Sequence, residues 1–185
     1  MKIPKQAKKV YQGVLFSVYE WPQKMFDGTI KKFEMIARQS SVDVIALTPD
    51  KKIITIYQTQ PGRKWYPGLP GGLIEKNEKP RAAAIRELLE ETGYKAKKIK
   101  QICHYEGFSK FYFPEYQFVA NDCVKISKQK LDAGEKIKIR IKTFAEFLNL
   151  VRNPLFAVPL GLKLKMYEAL VDKNKYNEFK KNLGI

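Results

Sequence analysis

Histidine is almost missing from this chain: His104 is the only one in 185 residues. A nucleophile–histidine–acid triad and a multi-histidine metal site are therefore close to excluded, and acid–base or metal chemistry has to come from carboxylates, lysine or tyrosine. Cysteine is also scarce. Cys103 and Cys123 lie too far apart for a CxxC metal or redox motif, and they read as free thiols of a protein in the reducing cytoplasm. No apolar run approaches the ~20 residues of a membrane span. The opening MKIPKQAKKVYQG is basic but has no apolar stretch behind it, so no secretory signal is expected. Acidic residues are outnumbered, 19 against 35 basic, which gives a net charge of +16 and a pI near 9.7. That balance points to an anionic partner, either nucleic acid, a nucleotide or a membrane surface, or to a plain lysine-coated exterior.

What is present is ample for one domain with a core. Hydrophobic residues make up 44% and aromatics 12% of the chain. The first third reads as strands at 10–21, 29–38, 42–47 and 53–58, with a hairpin turn at Asp27-Gly28. Residues 61–72, PGRKWYPGLPGG, form a loop. Pro80 to Thr92 has helical spacing, with apolar positions at 84, 85, 88 and 89, Pro80 in the first turn and Gly93 as the C-terminal cap. Lys79 caps poorly, so Asn77 is expected to cap through a longer turn. Further strands are predicted at 99–105 and 116–120 around an aromatic loop, EGFSKFYFPE, and at 136–142. A capping box at Thr143–Glu146 opens a short helix to about Val151, and a last helix runs from about Pro159 to Asp172. These elements divide into a β-rich arm (1–40), a main domain (41–175) and a basic C-terminal tail (176–185).

The most informative segment is GLIEKNEKPRAAAIRELLEETGY, residues 72–94. Glu87, Glu90 and Glu91 stand at i, i+3 and i+4 and share one helix face, where like charges repel. Hard divalent cations such as Mg2+ or Mn2+ take oxygen ligands and would offset that repulsion. A solvated acidic face paired with lysines is the plainer alternative. The flanks decide between the two. Gly72, Glu78, Arg86, Glu87, Leu88, Glu90, Glu91, Gly93 and Tyr94 fit G-x5-E-x7-R-E-U-x-E-E-x-G-U without exception, U being bulky and apolar or aromatic. Seven fixed residue types at ordinary usage coincide roughly once in 10^9 starting points.

This segment resembles the defining box of the Nudix hydrolase family. The resemblance implies an α/β (α+β) protein with the Nudix fold, an α/β/α sandwich with a mixed β-sheet, here carrying an N-terminal antiparallel β extension. It implies Mg2+- or Mn2+-dependent cleavage of a diphosphate linkage in a nucleoside diphosphate derivative. Carried over residue by residue, Glu87, Glu90 and Glu91 would hold the metal together with the carbonyl of Gly72. Arg86 would orient a glutamate, and Glu75 and Glu78 would support the loop or meet substrate or an outer metal.

Outside the box, the order of elements is similar to the ADP-ribose pyrophosphatase subgroup, whose N-terminal strands build a homodimer. That subgroup draws a helper glutamate from a loop after the box, for which Glu135 is the candidate and Glu115 the alternative. One departure stands out: some members have a proline about 16 residues beyond the box, where this chain has Ser109 and Lys110. Arg63, Trp65 and Tyr66 in the preceding loop are candidate substrate contacts, and Phe108, Phe111, Tyr112 and Phe113 are either core or a nucleoside wall. The expected substrate is ADP-ribose or a related nucleotide sugar. The alternatives are an RNA 5′-end pyrophosphohydrolase, a dinucleoside polyphosphate hydrolase, or a non-catalytic nucleotide sensor. Residues 72–94 carry five glutamates against four basic residues, a net −1, so the rest of the chain carries +17. An acidic patch in a basic surround suits a metal-bound diphosphate.

Overall fold

A computed structural model describes residues 2–185. The chain opens with β1 (Lys8–Gln12), β2 (Phe16–Lys24) and β3 (Ile30–Arg38), an antiparallel meander. The single strand expected at 10–21 is thus two, because a tight turn closes on the Gly13 N–H to Phe16 carbonyl bond at 2.8 Å. Pro22 lies inside β2, against expectation for a residue with no N–H. It is tolerated because β1 pairs only with residues 17–20, so Pro22 faces no donor-requiring neighbour on that side.

The main sheet continues with β4 (Ser41–Leu47), β5 (Ile53–Thr59), β6 (Tyr66–Gly68), β8 (Lys98–Phe108), β9 (Phe111–Asn121) and β11 (Lys136–Lys142). A small two-stranded pair joins β7 (Tyr94–Lys95) to β10 (Val124–Lys125). Strand β9 pairs in parallel first with the end of β3 and then with β4, so the N-terminal meander extends the central sheet directly. On the far side β5 pairs with β11, which ends the sheet. The predicted aromatic loop is instead the tip of a long β8–β9 hairpin. Its strands continue past the expected ends because Gly107, at φ +91°, allows a bulge opposite Phe113-Pro114, and Ser109 turns the chain. Phe108 and Phe111 are exposed at that tip, so they are neither core nor a wall of the cleft described below.

Alternation along β4 splits the core in two. Val42, Val44 and Ala46 pack with Ala83, Ala84 and Leu88 of α1 (Pro80–Thr92). Ile45 and Leu47 pack beneath α2 (Phe144–Asn149), α3 (Leu160–Val171) and α4 (Lys173–Leu183). The capping box of α2 forms as predicted, with Thr143 and Glu146 satisfying each other's backbone N–H groups. The expected basic tail is largely α4, because Phe179 and Leu183 fall on one face and are buried in the second core. Lys79 is the N-cap residue of α1 without a side-chain cap bond, so Asn77 does not cap; at φ +67° it shapes the turn before the helix.

Candidate functional site

The buried residues of α1 are Ala83, Ala84, Leu88, Glu91 and Thr92, whereas Ile85 is more than a third exposed. Glu91 therefore sits where packing alone would place an apolar residue, and it is 4% exposed. One of its oxygens accepts the Gly71 N–H at 2.7 Å. Burial raises its proton affinity well above the usual carboxylate range; the Gly71 bond opposes this, and the charges of Glu87, Glu135 and Asp43 add to it. Glu91 thus shares the site with Glu87 of its own helix, Asp43 of β4 and Glu135 of the loop before β11.

Arg86 braces the helix to the loop before it. Its Nε and Nη2 donate to the two oxygens of Glu78 at 3.0 and 2.9 Å, and Nη2 also donates to the Leu73 carbonyl at 3.0 Å. Nη1 reaches Glu87 at 2.9 Å and Glu90 at 3.2 Å. The Glu75 N–H closes the loop on Glu78 at 3.0 Å. Glu78 is held below its ordinary proton affinity, first by Arg86. Both its oxygens are engaged in clamping the loop to Arg86, and it does not line the cleft described below. Glu87 is raised by burial, which outweighs the opposing effect of Arg86.

The loop runs beside β4 as an irregular strand: Val42 N–H donates to the Gly72 carbonyl at 2.9 Å and Val44 N–H to Pro70 at 2.8 Å. Two glycines make this approach possible. A Cβ on Gly71 would lie 2.1 Å from the Val42 carbonyl oxygen, and one on Gly72 would lie 2.4 Å from the Glu87 carboxylate. At the other end of α1, the segment after β10 closes over the helix terminus. Gly93, at φ +73°, comes too near the Ser127 carbonyl for any side chain, while Gln129 and the Lys130 N–H bond the carbonyls of Glu91 and Glu90.

These elements enclose a cleft of about 630 Å³. Its lining holds eight carboxylates (Asp43, Glu75, Glu87, Glu90, Glu91, Glu115, Asp132 and Glu135) against Arg38, Arg86 and Lys130. A chain of net charge +16 thus has a strongly acidic cavity. Glu135 and Glu115, the two post-box candidates, both reach it, and burial raises both. Tyr66 lines it too; Trp65, the residue before β6, does not and stacks on Tyr57 at 5.3 Å instead. Arg63 is exposed and packs its guanidinium 4.8 Å over the Tyr66 ring, outside the cleft. His104 is exposed, stacks on Tyr116 and does not line the cleft.

Sequence reasoning passed over Asp43, Arg38 and Lys130. Asp43 carried a readable signal, an acid inside the apolar run VDVIAL of β4. Burial, helped by Glu115 and opposed by Arg38, pushes it up to about 7. In this conformation Glu87 and Glu90 turn to Arg86, and among the described residues no three acidic, histidine or cysteine side chains form a preassembled metal cage. The donor chemistry nonetheless fits a hard divalent cation. All the candidate ligands are oxygens, Gly72 leaves room for the Glu87 carboxylate, its carbonyl retains a second lone pair, and Glu91 is buried among like charges that a cation would neutralise.

Comparison with known proteins agrees with this geometry. Residues 37–155 match the family described as the NUDIX domain. The ADP-ribose pyrophosphatase of Bacillus subtilis (strain 168) is 30% identical over 151 residues, 79% of this chain and 80% of that protein. The methanol dehydrogenase activator of Bacillus methanolicus is 31% identical over 96 residues, 51% of this chain and 52% of that protein. A crystal structure of an ADP compounds hydrolase superposes with a TM-score of 0.73 at 20% identity, covering 97% of this chain and 94% of the other, which speaks to the fold. With well over half its length matched, and the match spanning the glutamate helix and the loop that clamps it, the chain belongs to the Nudix family of pyrophosphohydrolases.

Proposed function

We propose that this enzyme hydrolyses the diphosphate linkage of ADP-ribose or a related nucleotide sugar, with Mg2+ or Mn2+ as its metal. The observation that carries this reading is the mutual approach of Glu91, Glu87, Glu135 and Asp43 in one buried acidic cleft. The similarity to a named ADP-ribose pyrophosphatase supports the substrate class.

Glu87, Glu90, Glu91 and the Gly72 carbonyl would hold the metal. When bound, it neutralises charge on the diphosphate and makes water more acidic. The protein's own groups do the rest. Arg86 fixes the rotamers of Glu87 and Glu90. Glu135, raised by burial and Asp132 and facing Gln60, takes the proton of the attacking water. Water adds to one phosphorus, the bridging P–O bond breaks, and the departing phosphate keeps the electron pair. Lys130 and Arg38 at the cleft wall offset charge on the substrate, and Tyr66 forms an apolar side.

The exposed Tyr11, Phe16, Phe26 and Ile30 of the N-terminal meander support its role as a homodimer contact, which a solution mass at micromolar concentration tests. The unbridged Cys103 and Cys123 suit the cytoplasm, and no described helix is long and apolar enough to cross a membrane. The substrate is tested by a panel with Mg2+: ADP-ribose, other nucleotide sugars, dinucleoside polyphosphates, nucleoside triphosphates and 5′-triphosphate RNA. ADP-ribose should yield AMP and ribose 5-phosphate fastest. A higher kcat/KM on triphosphate RNA would replace the assignment with the RNA 5′-end reading.

A further inference from the structure

Strand β11 reads KIKIRIK and closes the sheet, with Lys136, Lys138, Arg140 and Lys142 set directly across from Thr59, Tyr57, Thr55 and Ile53 of β5. Directly paired residues share a face. All four cations therefore stand on one side of the sheet, over a rise of roughly 20 Å. That side also carries the Tyr57–Trp65 stack, its rings 5.3 Å apart and 20° from parallel, and Lys138 Nζ lies 4.7 Å over the Trp65 ring. Arg63 and Lys64 are exposed just before Trp65 in the chain, with the Arg63 guanidinium over the Tyr66 ring rather than over Trp65. Among the described residues, none of these six cations makes a salt bridge.

The strip is joined to the cleft. A shallow groove of about 180 Å³, lined by Thr59, Gln60, Pro61, Ala133, Gly134, Glu135 and Lys136, shares Gln60 and Glu135 with the cleft wall. A chain leaving the cleft would meet Lys136 first and then Lys138 and Trp65.

We propose that this face binds single-stranded nucleic acid, with the cations on successive phosphates and the Trp65–Tyr57 stack against a base. Unpaired cations spaced along an extended strand match a phosphate backbone, and an aromatic platform is what base stacking requires. Lysines on an edge strand also hinder edge-to-edge pairing. That role explains charge on β11 but not a half-buried tryptophan stacked on a tyrosine with a lysine of the same strip over its ring. The inference does not depend on which diphosphate the cleft hydrolyses, because its test involves no turnover.

The test is fluorescence anisotropy of the full chain, without added divalent metal, on a labelled 12-nucleotide single-stranded RNA, the same DNA sequence, and the duplex, across a salt series. The single strands should bind more tightly than the duplex. Their log affinity should fall with log salt, and Lys138→Ala/Arg140→Ala should reduce that slope by about 1.4, the loss of two phosphate contacts. Trp65→Ala, which leaves the charge unchanged, should weaken binding at least about fivefold. A remote pair of equal charge loss on α4, Lys173→Ala/Lys181→Ala, should leave the affinity within about twofold. Duplex binding as tight as single-strand binding, or equal losses from the β11 and α4 pairs, would overturn the proposal and mark the strip as bulk positive charge. Circular dichroism of each variant confirms that a loss is not unfolding.

Discussion

Glu91 occupies a position that packing would give to a leucine. The stripe Ala84, Leu88, Glu91 runs at i, i+4 and i+7, and its last member is a carboxylate at 4% exposure. Such a residue is tolerated when something stabilises its charge, here the Gly71 N–H and, in our proposal, a cation. This much is legible in the amino-acid sequence: the box supplies the residue, and helical spacing supplies its direction. Arg86 is only half legible there. Its contact with a box glutamate is expected, but not the bidentate clamp on Glu78 or the bond to Leu73, which depend on how the loop before the helix folds back. Arg86→Lys keeps the charge and loses the fork. It should cost roughly 2 kcal/mol, since hydrogen bonds to charged groups contribute about 1.5–3, and lower Tm by about 4–8 °C in a calorimetric scan. Its kcat should fall at least about tenfold, because Glu87 and Glu90 lose their shared anchor.

At the scale of elements, the loop 70–72 and β4 are matched surfaces. Gly71 and Gly72 look equivalent in sequence, yet their neighbours differ in stiffness. A methyl on Gly71 meets backbone, the Val42 carbonyl, whereas one on Gly72 meets the end of a flexible side chain. Gly71→Ala should therefore destabilise by about 3 kcal/mol or more, since only a shift of β4 relieves it. Gly72→Ala should cost under about 1 kcal/mol, because Glu87 can swing away, while activity falls at least about tenfold. Thermal melts paired with kcat separate the two, and equal destabilisation would contradict this reading. The sequence pattern locates the helices and central strands because burial periodicity is local. It misses the length of the β8–β9 hairpin because Gly107 and Pro114 look like loop residues, and only pairing with β3 and β4 shows that they sit at a bulge and a change of partner. It sends Trp65 and Arg63 to the site along with Tyr66 because the register of β6 against β5 is not visible in one short run.

At the scale of the whole molecule, positive charge and acidic cleft are separate features with separate consequences. Asp43 is pushed up to about 7 by burial, so the native state keeps a proton that the unfolded chain releases near its ordinary value of 3.8. Native protein then binds more protons between those values, and stability falls as pH rises through that window. Glu78, held low by Arg86, acts in the opposite sense and withdraws its stabilisation only as pH falls below the ordinary carboxylate range. Metal-free protein should therefore melt highest near pH 5 and lower at pH 8. Burial raises Glu91, Glu87, Glu115 and Glu135 in the same sense, so Asp43→Asn should flatten part of that decline and raise Tm at pH 8; an unchanged profile would show that Asp43 contributes none of it.

The central claim is that the glutamate helix is the seat of diphosphate hydrolysis. Release of AMP from ADP-ribose in the presence of Mg2+, compared between the wild-type chain and Glu91→Gln, tests it most directly. The variant should fold with unchanged secondary structure and lose at least about 100-fold in kcat, about 2.7 kcal/mol of transition-state stabilisation. A Glu91→Gln protein that turns over ADP-ribose at the wild-type rate would contradict it.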